Sequence, residues 1–289
     1  MQGRWTTAAR AFVAAAGLWL ACGACAAAPG VRLYTLDCGG AEFADFGLAS
    51  DTGAQDGRPA RLANPCFLVR HPAGWLLWDA GLPPQLPAAV TRGVPPADML
   101  RELGFRAWAG PPLADQLRAL SLKPNDIRYI AFSHLHFDHT GNANLFPGAT
   151  WILQRAELAW ALAEPPPVSM VPELFSGWRS ADKRMIDGDA DVFGDGSVRI
   201  LRAPGHTPGS SVLLLRLAGG GSVLLSGDLY LTLEGRAHGH VPAVNADRAA
   251  TLASMERIET IARRTGARVV VQHAPEDFNL LPKLPAFLE

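Results

Sequence analysis

The run His134-Leu135-His136-Phe137-Asp138-His139 constrains this chain more than any other part of it. Eight histidines occur in 289 residues, and three of them fall within these six positions. Chance clustering or a solvated histidine-rich loop accounts poorly for that density. The run follows residues 127–132, which read as a strand, and it leads into a helix. Histidines at i and i+2 leaving a strand end point the same way, so His134 and His136 can reach one ion. Asp138 and His139, on the turn that follows, address a second position beside the first.

The rest of the chain falls into two similar halves. In the first, 31–37 reads as a strand and 39–64 as a long loop. Phe43, Phe46 and Leu48 on that loop either anchor it to the core or wall a pocket. A hairpin of 66–70 and 75–78 turns at His71-Pro72-Ala73-Gly74 and ends in Asp79-Ala80-Gly81. A short helical piece is expected around 97–103, and a helix over 111–120. In the second half, strands are expected over 198–202, 210–217, 222–225 and 267–272, with a helix over 250–265. His206, Asp228 and His273 each sit just past the C-terminal end of one of these strands. That is how an α/β scaffold presents a site.

Five histidines and two aspartates make a balanced set for two ions. His134, His136 and His206 take one and leave an open position, the catalytic rather than the structural pattern. Asp138, His139 and His273 take the other, and Asp228, with two oxygens, bridges. Imidazole and carboxylate without thiolate suit Zn2+, with Mn2+, Fe2+ or Co2+ as alternatives. Two divalent metal ions a few Å apart lower the pKa of a bridging water and yield hydroxide at working pH. Such a centre hydrolyses acyl or phosphoryl bonds without a protein nucleophile.

Composition narrows the setting. A chain that is 48% hydrophobic and 18% charged has material for a sizeable core and is neither disordered nor fibrous. With 26 basic against 27 acidic residues, it lacks the concentrated positive footprint of a nucleic-acid binder. Residues 1–28 have the layout of a secretory signal: Arg4 and Arg10, an apolar run over 11–22, then small residues. The apolar run is too short to span a bilayer. The expected location is therefore the periplasm or outside the cell; lipid anchoring at Cys22 or Cys25 is the lesser alternative. The mature chain then carries no transmembrane segment, has 24 basic against 27 acidic residues, and is a small-molecule enzyme for which a homodimer stays open. Its two remaining cysteines, Cys38 and Cys66, permit a disulfide, but the apolar strand-like sequence beside each favours buried free thiols.

The ligand run, together with Gly205-His206-Thr207-Pro208-Gly209, Ser226-Gly227-Asp228 and Val271-Gln272-His273, resembles the metallo-β-lactamase superfamily. The stretch Asn64-Pro65-Cys66-Phe67-Leu68-Val69 and Asp79-Ala80-Gly81 resemble its N-acyl-homoserine lactonase branch, and the likeness spans 31–280. It implies an α+β fold, an αββα sandwich of two mixed β-sheets face to face with helices outside, as a single domain over 29–289. It implies the same division of the seven ligands between two metals. The branch places a tyrosine three residues after the bridging aspartate, assisting at the substrate carbonyl or leaving oxygen. Here Leu231 holds that slot and Tyr230 stands two residues after Asp228, so Tyr230 either aims into the site or belongs to the core.

The reading that follows is a dinuclear metal-dependent hydrolase of lactones or other carboxylic esters, with Asp138 or Tyr230 assisting proton transfer. A phosphotriesterase or aryl esterase on the same centre is the alternative. A β-lactamase fits less well, since the zinc β-lactamases do not normally place a bridging carboxylate at Asp228. A glyoxalase II-like thioesterase needs a C-terminal helical region, and only 16 residues follow His273. A secreted metal-binding protein without activity should have lost at least one ligand. Trp108, Trp151, Trp160, Trp178 and the aromatics of the 39–64 loop suggest an apolar acyl or aryl pocket, and the prolines at 165–167 a stiff border to the cleft. Asp79 either orients a ligand histidine or closes its turn, His238 and His240 read as an exposed loop, and His71 as surface.

Overall fold

The computed structural model describes residues 30–85 and 102–289. The expected signal segment and most of the helical piece at 97–103 lie outside the described residues. Seven strands form one mixed sheet: β1 (Arg32–Phe43), β2 (Ala60–His71), β3 (Gly74–Trp78), β4 (Arg106–Trp108), β5 (Ile127–Ala131), β6 (Thr150–Gln154) and β7 (Lys183–Ile186). Their order is β4-β1-β2-β3-β5-β6-β7. Pairing is antiparallel from β4 to β3 and parallel from β3 to β7. The second sheet holds β8 (Ala190–Asp191), β9 (Val198–Arg202), β10 (Ser211–Arg216), β11 (Ser222–Leu225) and β12 (Arg268–Val270), in the order β12-β11-β10-β9-β8. Only β11 and β12 run parallel there.

Strands with near-continuous apolar runs are buried on both faces, and this makes the layers. Phe67 and Val69 of β2 point inward, with Trp78, Ile152, Ile200, Leu213 and Leu225, to fill the space between the sheets. Cys66 and Leu68 point outward, under α1 (Leu113–Ala119) and α3 (Arg155–Ala161). On the far side, Val212, Leu214 and Leu224 meet Met255, Ile258 and Ala262 of α5 (Arg248–Thr265). That helix is capped by Asp247, which accepts from the Ala250 amide at 2.9 Å, and it ends at Gly266 in the left-handed region. The result is the expected αββα sandwich of two mixed sheets. Among the described residues no helix is long and apolar enough to cross a membrane.

Three expectations change. The first strand runs to Phe43 and the second begins at Ala60, so the long loop shrinks to 44–59. Pairing of Gly40–Glu42 with β4 extends it across what composition suggested was irregular. Second, Cys38 and Cys66 form a disulfide with Cα atoms 5.7 Å apart, not two buried thiols. The register shifts between Asp37 and Gly40, and this bulge brings Cys38 beside Cys66. Third, His71 is largely buried, stacked on Phe193 with ring centroids 4.0 Å apart and bonded through Nε2 to Asp195 at 3.0 Å.

The disulfide lies directly behind the site. A Cβ on Gly81 would meet the Cys38 Cβ at 2.2 Å, and Gly81 also has a positive φ of 63°. Its carbonyl accepts from the Gly141 amide at 2.7 Å, where the chain leaves α2 (Phe137–Thr140). Native protein denatured without reductant should show no free thiol among residues 29–289. Closing a loop of 28 residues, the bond should contribute roughly 3.5 kcal/mol. A Cys38→Ala/Cys66→Ala variant should lower the urea midpoint accordingly, and an unchanged midpoint would contradict this.

Candidate metal centre

Every candidate ligand leaves the C-terminal end of a strand, and both sheets contribute. His134 and His136 follow β5, while Asp138 and His139 ride on the single turn of α2. His206 lies between β9 and β10, Asp228 in the 3-10 turn Gly227–Leu229 after β11, and His273 after β12. Their side chains converge in two groups: His134, His136, His206 and Asp228, then Asp138, His139 and His273. Within each group the donor atoms all lie within 4.8 Å of one another.

Asp228 faces both groups with different oxygens. Its Oδ2 lies 3.4 Å from His206 Nε2 and 3.8 Å from His134 Nε2. Its Oδ1 lies 3.2 Å from His139 Nε2 and 3.0 Å from His273 Nε2. In the first group His136 turns its Nδ1 inward, 2.8 Å from His134 Nε2 and 3.2 Å from His206 Nε2. In the second, Asp138 Oδ2 lies 3.5 Å from His139 Nε2 and 3.7 Å from His273 Nε2.

Surrounding groups select the tautomers. His273 Nδ1 donates to the Ala63 carbonyl at 2.8 Å, leaving the Nε2 lone pair for the centre. His139 Nδ1 donates to Asp79 Oδ2 at 3.0 Å, and its Nε2 is buried with no hydrogen-bond partner. Asp79 also accepts from the Ser133 amide at 2.7 Å, from Ser133 Oγ at 2.9 Å and from Gln272 Nε2 at 2.7 Å. It therefore orients a ligand histidine and ties the ends of β5 and β12 together, answering the question its turn position left open.

Charge follows burial. Desolvation first, then neighbouring histidines, holds the His134 pKa well below the ordinary histidine value and lowers His136 to about 3. Burial likewise lowers His206. In His139 and His273 burial is outweighed by carboxylates, Asp138 and Asp228 for the one and Asp228 for the other, which raise them. Burial pushes Asp228 and Asp138 up, but facing histidines overcome it and keep both as carboxylates. Inward-facing imidazole nitrogens around a carboxylate that faces both groups are the donor set for two divalent cations, and the residues fit that cofactor.

The cavity above the group is the expected apolar one, walled by the expected loop side chains but not by the tryptophans. It is lined by Phe43, Phe46, Leu48, Leu62, Phe105, Phe137, Leu231 and Val244, with Asn64, Asp138, His136, His206, Asp228 and His273 at its floor. None of the four expected tryptophans lines it, and Trp151 is core; Phe43 at the end of β1, Phe46 of the shortened loop, Phe105 before β4 and Phe137 of α2 form the wall. Ser169, just beyond the prolines at 165–167, reaches the rim. Tyr230 does not reach the cavity. It packs in the core under α5, and its hydroxyl donates to Glu259 Oε1 at 3.2 Å, which Arg236 also binds. Chain extended at Tyr230 sends adjacent side chains to opposite sides, so Leu231 faces the cavity and Tyr230 the core. That removes Tyr230 from the reacting groups. His238 ends the short helix α4 (Leu233–His238) rather than lying on a loop, and stacks on His240 with centroids 5.6 Å apart.

Sequence reasoning missed Glu157. It is buried on α3, and its carboxylate accepts from the Leu135 and Gly209 amides and from Thr207 Oγ1. No local pattern marks it, since its partners lie 22 to 52 residues away.

Comparison with known proteins agrees with this geometry. The family model described as "Metallo-beta-lactamase superfamily" matches residues 60–273. The N-acyl homoserine lactonase AttM of Azorhizobium caulinodans is 30% identical over 281 residues, covering 90% of this chain and 99% of that protein. The N-acyl homoserine lactonase AiiA of Bacillus thuringiensis subsp. kurstaki is 27% identical, covering 80% and 90%. A crystal structure of a quorum-quenching N-acyl homoserine lactone hydrolase superposes with a TM-score of 0.74 at 25% identity, over 89% of this chain and 98% of that one. With the ligands in order at the strand ends and these relatives over nearly the whole length, the chain belongs to the metallo-beta-lactamase superfamily, on the branch that holds the N-acyl homoserine lactonases.

Proposed function

We propose that this protein is an exported, dinuclear zinc lactonase that opens the ring of N-acyl homoserine lactone-like substrates. The observation that carries the reading is Asp228, whose two oxygens each face one of two buried imidazole groups at the floor of an apolar cavity. Likeness to lactonases over most of the chain supports the substrate class. The donor set of five imidazoles and two carboxylates, without thiolate, supports zinc. The basic, apolar and small-residue order of 1–28 and the Cys38–Cys66 disulfide support export to the periplasm or beyond.

When bound, the two ions supply Lewis acidity toward the lactone carbonyl and toward the water that attacks it. The chain does the rest. The phenylalanine wall and Leu231 hold the acyl group and keep bulk water from the floor. Asp138, partly exposed at the cavity, takes the proton released by the attacking water and passes it to the ring oxygen as the acyl C–O bond breaks. The product is the ring-opened hydroxy acid.

Protein purified without chelator should carry close to two equivalents of metal, zinc foremost, and stripping them should abolish turnover until zinc is returned. In a panel of acyl-homoserine lactones, γ-lactones, aryl esters, a phosphotriester and nitrocefin, the acyl-homoserine lactones should be turned over fastest. A best substrate among the phosphotriesters or aryl esters would sink the lactonase reading. His136→Ala should cost more than about 100-fold in kcat/KM on the best substrate, since it removes a direct ligand where weaker perturbations already cost 10- to 100-fold. Tyr230→Phe should leave kcat within about twofold, because it deletes only a remote hydrogen bond worth roughly 1 kcal/mol of stability. A large fall in kcat there would place the phenol back in the site.

A further inference from the structure

We infer that Glu157 is a positioning residue for the three-histidine half of the centre, fixing the geometry of His134, His136 and His206 without touching the ion or the substrate. The inference rests on the two-ion reading above. Glu157 Oε1 accepts from the Leu135 amide at 2.9 Å, and Leu135 stands between His134 and His136. Glu157 Oε2 accepts from Thr207 Oγ1 at 2.7 Å and from the Gly209 amide at 2.9 Å, and Thr207 follows His206. One carboxylate thus joins the two backbone segments that carry all three histidines, one leaving the seven-stranded sheet and the other joining two strands of the five-stranded sheet.

The fit is close enough to dictate a neighbouring residue. A Cβ on Gly209 would lie 2.4 Å from Glu157 Cβ and 2.5 Å from its backbone nitrogen. Only glycine lets the His206 loop approach α3 near enough for its amide to reach the carboxylate. The Thr207 hydroxyl is itself fixed, 2.6 Å from Ser210 Oγ, and the Ser210 hydroxyl accepts from the Thr207 amide at 3.0 Å. The other half of the centre is held by different groups: His139 by Asp79 and His273 by the Ala63 carbonyl. Loss of Glu157 should therefore act on one cluster and spare the other.

The isosteric Glu157→Gln variant tests this. Whichever way its amide turns, an NH2 group meets a buried N–H that the carboxylate had accepted. Zinc is titrated into metal-free wild type and variant, and the ring 15N signals of His134, His136 and His206 are followed separately from those of His139 and His273. In the variant the first three should need about 10- to 100-fold more zinc, and the last two should respond as in wild type within about threefold. Equal response of all five to wild-type zinc concentrations would overturn the inference. So would equal weakening of both clusters, which is what a general loss of stability produces.

Thr207→Val is the second variant, and it decides the matter where Glu157→Gln does not fold. It removes one of the three bonds and leaves the charge in place, so the His134, His136 and His206 signals should shift to several-fold more zinc. No shift there would overturn the assignment. A wild-type protein that bound a single zinc would sink the two-ion reading itself, while the same signals still report whether Glu157 governs the three-histidine cluster.

Discussion

Asp79 is fully buried, and its four accepted hydrogen bonds hold the two sheets in register at the end where the chemistry lies. It sits in the left-handed region with φ 60°, a conformation uncommon for a residue other than glycine. Burying a carboxylate is costly unless hydrogen bonds replace its water, and here backbone, hydroxyl, imidazole and amide donors all converge on it. Ser133 comes from the end of β5, His139 from α2, and Gln272 from the end of β12. The ligand constellation is thus built on contacts between strand ends, not on any one loop.

Much of this was legible in the sequence because it is local. Histidines two apart after a strand, and single ligands after three later strands, follow from the period of an extended chain. The sandwich was legible too, since runs such as 66–69 and 212–215 leave no polar face for water. What escaped depends on contacts remote in sequence. Glu157 looks like any helix-surface acid until the chain brings Thr207 and Gly209 to it, and the Cys38–Cys66 bond depends on a bulge that composition does not announce. His71 looked exposed in its Pro-Gly turn, but Phe193 and Asp195 cover it from the turn between β8 and β9.

Tyr230 shows how small a step decides a role. The turn Gly227–Leu229 ends one residue earlier than a phenol at the cavity would need, and the extended chain that follows assigns alternate side chains to core and cavity. The hydroxyl then finds Glu259 and Arg236, and burial together with the Glu259 charge holds its pKa well above the ordinary phenol value. Leu231 takes the place beside the centre and makes the floor more apolar than a phenol would. Asp138 is then the acid of the centre with the more open side toward the cavity.

The cavity wall and the ligand set come from different parts of the chain. Phe43, Phe46 and Leu48 come from β1 and the loop after it, Phe105 from just before β4, and Leu231 and Val244 from the segment between β11 and α5. Apart from Leu231, three residues past Asp228, and Phe137, which stands within the ligand run itself, the wall positions are far in sequence from the strand ends that hold the ligands, and Asp79 and Glu157 bond to those ends independently of the wall. Substitutions can therefore accumulate around the mouth while the reactive floor is left undisturbed. Architecture of this kind separates what is recognised from what is done, and it lets one inherited reaction be offered to new molecules through changes in a few apolar side chains.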